Sequence, residues 1–290
     1  VLLSRNPKKY YKKFDDNVSL VDWNTNNLDL LKNINIVIKL SGESVMQIWT
    51  RKIKQRIKSS RVDITKDLKS FLEINHIKPQ TFINASAVGF YAKKDAIYNE
   101  AVDEFSPNGD TFLADVCKLN EKSCNIFTKE GIRVVNLRIG VVLTKEFYNL
   151  VRFVPHMGAK NHFFPWVHVD DVVGFIKFSI INNIKGAFNL VAPSSTTHQD
   201  FNAMVIPIYF ARNIIPMSEM LLYGPKTIPN RTLESGYKFK FIESKWYQRF
   251  RDSFIFPYIS WIPFMVSDQL ELSFRYRYCG GRPFTPKVYD

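Results

Sequence analysis

His168, Val169, Asp170 and Asp171 follow one another, and an imidazole with two carboxylates is a donor set for a metal ion or a proton relay. The spacing argues against both. On a strand His168 and Asp170 project alike while Asp171 points the opposite way, and no second histidine follows. The cysteines Cys117, Cys124 and Cys279 make no Cys-x-x-Cys pair and no Cys/His zinc spacing, so no metal site is expected. Reduced thiols in a cytosolic-type compartment are their simplest reading. Cys117 and Cys124 share one face of a helical stretch, the spacing of core residues, and no activating base lies nearby in sequence. Ser86 ends the apolar run TFINAS, and Tyr91 stands in the loop after it as an acid, a substrate contact or a packing residue.

The elements that would position these groups alternate in type. Strand-like runs cover 1–5, 17–23 (NVSLVDW), 34–40 (INIVIKL), 81–86, 133–143 (RVVNLRIGVVL) and 187–191 (AFNLV). Helical patterns cover 49–74, 112–127 and 172–181; in the first, Ile53, Ile57, Ile64, Leu68 and Phe71 share a face. Strands separated by helices imply parallel pairing with right-handed crossovers, hence an α/β doubly wound sheet. Ligands in such sheets sit beyond the carboxyl ends of the strands, here Ser4-Arg5, Ser41-Gly42-Glu43, Ser86 and Ile139-Gly140. After Pro193 the alternation weakens. A small helix at 231–235, ended by Gly236 and followed by a short strand, is the last readable element.

Bulk properties narrow the classes of function. In 290 residues, 40 Lys and Arg outweigh 27 Asp and Glu for a net charge of +13, a field that favours anionic partners. The basic residues are dispersed, apart from 8–13 and 51–58, and form no nucleic-acid reader motif, so no specific nucleic acid is expected. The longest charge-free apolar run, 254–266, is too short to span a membrane and carries two prolines.

Several stretches then occur together and in order: SGES at 41–44, WTRKIKQRIKSSRVDIT at 49–65, NASAVGFYA at 84–92, FLADVCKLNE at 112–121, LRIGVVL at 137–143, WVHVDDV at 166–172 and GAFNLVAP at 186–193. They resemble the atypical epimerase branch of the extended short-chain dehydrogenase/reductase superfamily, the NAD-dependent epimerase/dehydratase type. YGPKTIPNRTLESGYKFKF is similar to that branch's small C-terminal domain. The resemblance implies a Rossmann-like domain over 1–192, N-terminally truncated and lacking its first strand, a small α+β substrate-side domain over 193–245, and an unassigned aromatic and basic tail over 246–290. In that scheme 1–5 is the second strand of the fold. With its central neighbour absent, it either pairs with the fourth strand directly or leaves an exposed edge.

The same resemblance assigns roles. Arg5, at the end of the second strand, favours the 2′-phosphate of NADP over NAD, with NAD still possible. Leu40, Ser41, Gly42 and Glu43 bring backbone close to the cofactor ribose, and Gly140 suits approach to the nicotinamide end. Lys39, where the family has a neutral residue, either reaches an anionic cofactor group or marks a relaxed constraint. Ser86 matches the serine that hydrogen-bonds substrate. His168 and Asp170 lie at the mouth of the substrate cleft and position the substrate, while Asp171 caps the next helix. Counting back from Glu121, however, the positions of the superfamily's acid/base Tyr and its Lys hold Leu113 and Cys117. The glycine-rich phosphate turn GxxGxxG is also missing, so NADP binding is expected to be weak.

Two readings follow. One is an NAD(P)-dependent epimerase- or reductase-like enzyme acting on an unknown small substrate, a sugar derivative or another carbonyl or hydroxyl compound, with Ser86 and Tyr91 as catalytic candidates. The other is a catalytically inactive relative serving as a binding protein, with basic nucleic-acid binding a more distant alternative. The expected location is cytoplasmic or organellar, and the oligomeric state is open.

Overall fold

Thr50 opens the longest helix by accepting a hydrogen bond from the Ile53 amide on its hydroxyl. In the computed structural model the described residues are 1–10, 14, 17–24, 30–31, 33–94, 101–144, 156–158, 162–197, 205–207 and 225–243. The tail over 246–290, with Cys279 and the apolar run 254–266, lies outside them, as does most of 201–221. The chain divides into two compact units, Val1–Leu30 contributing to one and Leu31–Ser260 forming the other.

In the first unit β1 (Leu2–Leu3) and β2 (Leu20–Val21) pair in parallel, Leu2 opposite Leu20. The opening strand therefore finds its partner in β2 and not in the strand over 34–40. Arg5 follows β1, exposed, just after the Ser4 amide bonds the Val21 carbonyl at 2.9 Å.

The second unit contains β3 (Ile36–Lys39), α1 (Arg51–Ile74), β4 (Thr81–Ala87), β5 (Ala101–Val102), α2 (Phe112–Ser123), α3 (Asn125–Thr128), β6 (Arg133–Ile139) and β7 (Val141–Leu143). It continues with β8 (His156–Gly158), β9 (Trp166–His168), α4 (Val169–Ile181), β10 (Gly186–Leu190), β11 (Val205–Pro207), β12 (Lys226–Thr227) and α5 (Asn230–Glu234). The main sheet is parallel, in the order β10-β6-β4-β3, and β3 is its edge among the described residues. β7 and β9 form a parallel pair beyond it, as do β5 with β12 and β8 with β11. This is the α/β architecture with flanking helices that the alternating pattern implies. No helix among the described residues is long and apolar enough to cross a membrane.

The two faces of the sheet differ in chemistry. On one, Ile83, Val135, Leu137, Phe188 and Leu190 pack with Val172 and Phe175 of α4 and with Tyr237. Each such side chain contributes about 1.5–3 kcal/mol of burial. On the other, polar residues stand abreast: Lys39, Asn84 and Asn136 in one row, Ser86, Arg138 and Asn189 in the next. The period-2 alternation of strands produces this split.

Three local features depart from the sequence pattern. The helix expected over 112–127 breaks at Cys124, separating α2 from α3. Asp171 is not the cap of α4. His168 takes that place, its Nδ1 accepting from the Asp170 amide at 3.1 Å, and Asp171 sits fully buried in the first turn. The strand expected after Gly236 is absent because its amides serve Asp171 instead: Lys240 N and Phe241 N donate to the carboxylate at 2.7 and 3.1 Å. Gly236 itself, at φ 90°, supplies the left-handed residue just beyond α5.

Candidate functional site

Ser86 stands near the carboxyl end of β4, half-buried, with Arg138 beside it on β6 and Asn189 next on β10. α2 crosses this row. Its Asn120 donates to the Ala85 carbonyl at 2.9 Å, which fixes the helix against β4 and brings Glu121 to Ser86. The Ser86 hydroxyl donates to Glu121 Oε1 at 2.8 Å. Arg138 closes on the same carboxylate with two parallel bonds, Nε to Oε1 and Nη2 to Oε2, both 2.9 Å. The side chains of Arg138 and Glu121 are only 7% and 12% exposed, so this fork is a buried ion pair. Burial alone would lower the Arg138 pKa, but the bonds and charge of Glu121 reverse this and hold it above its ordinary value.

The remaining donors of Arg138 tie in Tyr91. Nη1 donates to the Tyr91 hydroxyl at 2.7 Å and to the Glu104 carbonyl at 3.3 Å, and the guanidinium carbon lies 3.6 Å from the Phe90 ring centroid. The Tyr91 hydroxyl in turn donates to Asn189 Oδ1 at 2.8 Å. It is 1% exposed, and burial pushes its pKa up to about 12 against the opposing pull of Arg138. Its hydroxyl is thus occupied on both sides. Glu104 completes the network, accepting from the amides of Asn189 and Arg231 at 2.9 and 3.1 Å and so fastening α5 to β10.

Leu113 and Cys117, at the positions of the superfamily's Tyr and Lys, lie on the same face of α2 as Glu121, at successive four-residue steps. Cys117 is buried, and its thiol is pushed up to about 11 by desolvation, with the Glu121 charge adding to the effect. Such a thiol is no nucleophile. Glu121, one turn further along, accepts from Ser86, which is also within hydrogen-bond reach of the Cys117 thiol.

The expected cofactor loop, Leu40 to Glu43, follows β3 with Leu40 and Ser41 exposed. α1 holds it from below. Ser60 Oγ accepts from the Glu43 amide at 2.8 Å, Arg61 donates to the Glu43 carbonyl at 3.1 Å, and Arg56 pairs with its carboxylate at 2.7 Å. At Gly42 a Cβ would stand 2.9 Å from the Arg61 guanidinium carbon, the far end of a side chain that can shift. At Gly140 a Cβ would fall 2.4 Å from the Pro165 carbonyl oxygen, so here the close approach is made by the chain itself.

Lys39 does not extend outward. It is 3% exposed, and its amine donates to the Arg61 carbonyl, Thr65 Oγ1 and Asn120 Oδ1, the first and last at 2.8 Å. Desolvation lowers its pKa to about 8. His168, tilted against Phe241 at 3.8 Å between ring centroids, has a lowered pKa, chiefly from burial. Asp170 lies 3.8 Å from its Nδ1 and is more exposed. Among the described residues no group of three or more His, Cys, Asp or Glu is placed to hold a metal ion.

Glu121, Arg138, Glu104 and Asn189 are the members that sequence reasoning missed. A signal existed for one of them: Arg138 is a charge inside the apolar strand RVVNLRI, and such a residue needs a buried partner.

No family model matches the chain. Curated relatives do. An epimerase family protein of Bacillus subtilis, YfhF, is 27% identical over 263 residues, covering 83% of this chain and 85% of the relative. A Staphylococcus saprophyticus epimerase family protein is 28% identical over 250 residues, 79% of this chain and 83% of the relative. A chloroplastic SDR39U1 homologue of Arabidopsis thaliana is 28% identical over 228 residues, 71% of this chain and 65% of the relative. Among solved structures, human epimerase family protein SDR39U1, crystallised with NADPH, superposes with a TM-score of 0.67 at 24% identity, covering 83% of this chain and 86% of the human one. A Bacillus cereus UDP-glucuronic acid 4-epimerase with NAD reaches a TM-score of 0.58 at 16% identity, covering 85% and 86%. These superpositions establish the Rossmann-like fold.

Proposed function

We propose, for a chain that is a relative of the epimerase-family proteins of the extended short-chain dehydrogenase/reductase superfamily, an NADP-dependent epimerase- or reductase-like activity on a small hydroxyl-bearing substrate held at Ser86. The observation that carries this reading is the direction of one hydrogen bond. Glu121, ionised against Arg138, accepts only, so the single proton of Ser86 is committed to it. The Ser86 oxygen, with the Cys117 thiol beside it, keeps acceptor capacity that suits a substrate hydroxyl better than a carbonyl. Glu121 and Arg138 are positioning residues, since they act through Ser86.

The cofactor follows from the relatives and from the donor set. The human relative of this fold was crystallised with NADPH. Here Leu40 and Ser41, exposed after β3, would lie against the cofactor ribose. The family resemblance has Arg5 favour a 2′-phosphate. A bound nicotinamide cofactor supplies hydride transfer. The chain's own residues orient the substrate: Ser86 at the reacting hydroxyl, Tyr91 in support of Arg138, and His168 and Asp170 at the substrate side. A non-catalytic binding role is the second reading, favoured by the inert pair Leu113 and Cys117.

Fluorescence titration with NADPH and NADH tests the cofactor assignment. The informative quantity is the ratio of the two affinities. NADPH should bind at least about tenfold tighter than NADH, about 1.4 kcal/mol, and Arg5→Ala should erase the difference. Equal affinities for the two cofactors, or no saturable binding of either, would overturn the assignment.

A further inference from the structure

An open cleft of about 480 Å³ lies between the first turns of α1 and α2. It is lined by Trp49, Arg51, Lys54, Gln55 and Lys58 at the start of α1 and by Phe112 and Asp115 of α2. Arg51, Lys54 and Lys58 recur at three- and four-residue steps and so share one side of the helix. Trp49 and Phe112 form its apolar wall, edge to face at 5.1 Å, with the indole N–H bound to the Val45 carbonyl at 2.9 Å. The Lys54 ammonium stands over both rings, 5.0 Å from the Phe112 centroid and 5.8 Å from that of Trp49.

The cations of this cleft have no ion-pair partner among the described residues. On the same helix Arg56 pairs with Glu43, and Lys69 with Glu73 and Glu130, while Lys52 and Lys66 pair with no carboxylate among the described residues. Among the described residues Arg51, Lys54 and Lys58 pair with none, and no acidic residue occupies the first turn of α1. Three cations face one exposed carboxylate, Asp115, in a space the size of a small-molecule site. Like charges so grouped repel one another, and an anion spanning them removes that repulsion. An arginine fork beside two ammonium groups matches a ligand with more than one phosphate, because the fork binds two oxygens and each ammonium serves as a point charge.

We propose that this cleft binds a diphosphate-bearing small molecule at a site separate from the nicotinamide cofactor, a binding site independent of the proposed activity. Arg51 would take one phosphate in bidentate fashion, Lys54 and Lys58 the other, and the Trp49–Phe112 wall would cover the apolar part of the ligand.

The test is calorimetric titration of the full chain with inorganic pyrophosphate, with and without saturating NADPH. Saturable binding is expected, unchanged by NADPH. Lys54→Ala with Lys58→Ala should weaken it at least about tenfold, and Lys58→Glu should do so more strongly. Lys66→Ala, an exposed cation on the same helix outside the cleft, should leave it intact. These positions are partly or fully exposed, and circular dichroism verifies that each variant folds. Four results would overturn the proposal: no saturable binding, equal binding by the cleft variants, displacement by NADPH, or equal binding of sulfate at matched ionic strength.

Discussion

Replacing Glu121 by Gln keeps the shape of the side chain and removes its charge, and Arg138 then has no anionic partner in a nearly closed environment. Three bonds converge on the carboxylate, two from Arg138 and one from Ser86, at 2.8–2.9 Å. Removing one partner of a buried pair costs about 3–5 kcal/mol. Gln retains one acceptor oxygen for Ser86 and Arg138 Nε but turns an amide N–H toward Nη2, so the low end, about 3 kcal/mol, is expected. With a urea slope of about 3 kcal/mol per M, the unfolding midpoint should fall by about 1 M with the slope unchanged. The double variant Glu121→Leu with Arg138→Met removes both charges and should be destabilised by less than the sum of the single variants, leaving a coupling of about 2–3 kcal/mol. A cost below about 1 kcal/mol for Glu121→Gln, or strict additivity in the double variant, would refute the buried fork that orients Ser86.

Asp171→Ala should cost about 2–4 kcal/mol, since the amides of Lys240 and Phe241 and the Tyr237 hydroxyl all lose an acceptor. Limited proteolysis should then cut near 237–241 faster than in the parent chain. Lys39 gives a pH signature. Its folded pKa, about 8, lies below the ordinary 10.5, so between those values the unfolded chain binds the extra proton and stability rises with pH. Urea unfolding of the parent chain against Lys39→Met should show the difference moving toward the parent by up to about 3 kcal/mol across that window. Movement in the opposite direction would contradict a buried amine held by Asn120, Thr65 and the Arg61 carbonyl.

The sheet was legible because its determinants are local. INIVIKL, TFINAS, RVVNLRI and AFNLV each bound a strand of the parallel sheet, and the apolar face of 49–74 gave α1 with Ile57, Leu68 and Phe71 buried as expected. Of the network around Arg138, the sequence pointed to Ser86, where a strand end marks the position, and to Tyr91 in the loop after it. Glu121 served merely as a reference for counting, because nothing within FLADVCKLNE shows that its carboxylate meets a guanidinium 17 residues later. Pairings of that kind depend on how α2 lies across β4 and β6, which is a property of the packed fold. Asp171 is a similar case. As a sequence it reads as a helix cap, but burial made it the acceptor for a segment some 70 residues away and so kept 237–241 from forming a strand. Lys39 was recognised as costly, yet its acceptors come from two helices that no short window of sequence contains.

Hydride transfer dependent on Ser86 is the most direct measure of the proposed function. The full chain, incubated with NADP⁺ and hydroxyl-bearing sugar nucleotides such as UDP-glucose and UDP-glucuronic acid, is followed by NADPH fluorescence for net oxidation and by chromatography for the epimer, whose formation returns the hydride and leaves no NADPH. Growth of either signal with the parent chain, falling at least about a hundredfold in Ser86→Ala while cofactor binding is retained, is the expected result. No signal from the parent chain, or an equal rate from Ser86→Ala, would contradict the assignment of Ser86 as the group that holds the reacting hydroxyl.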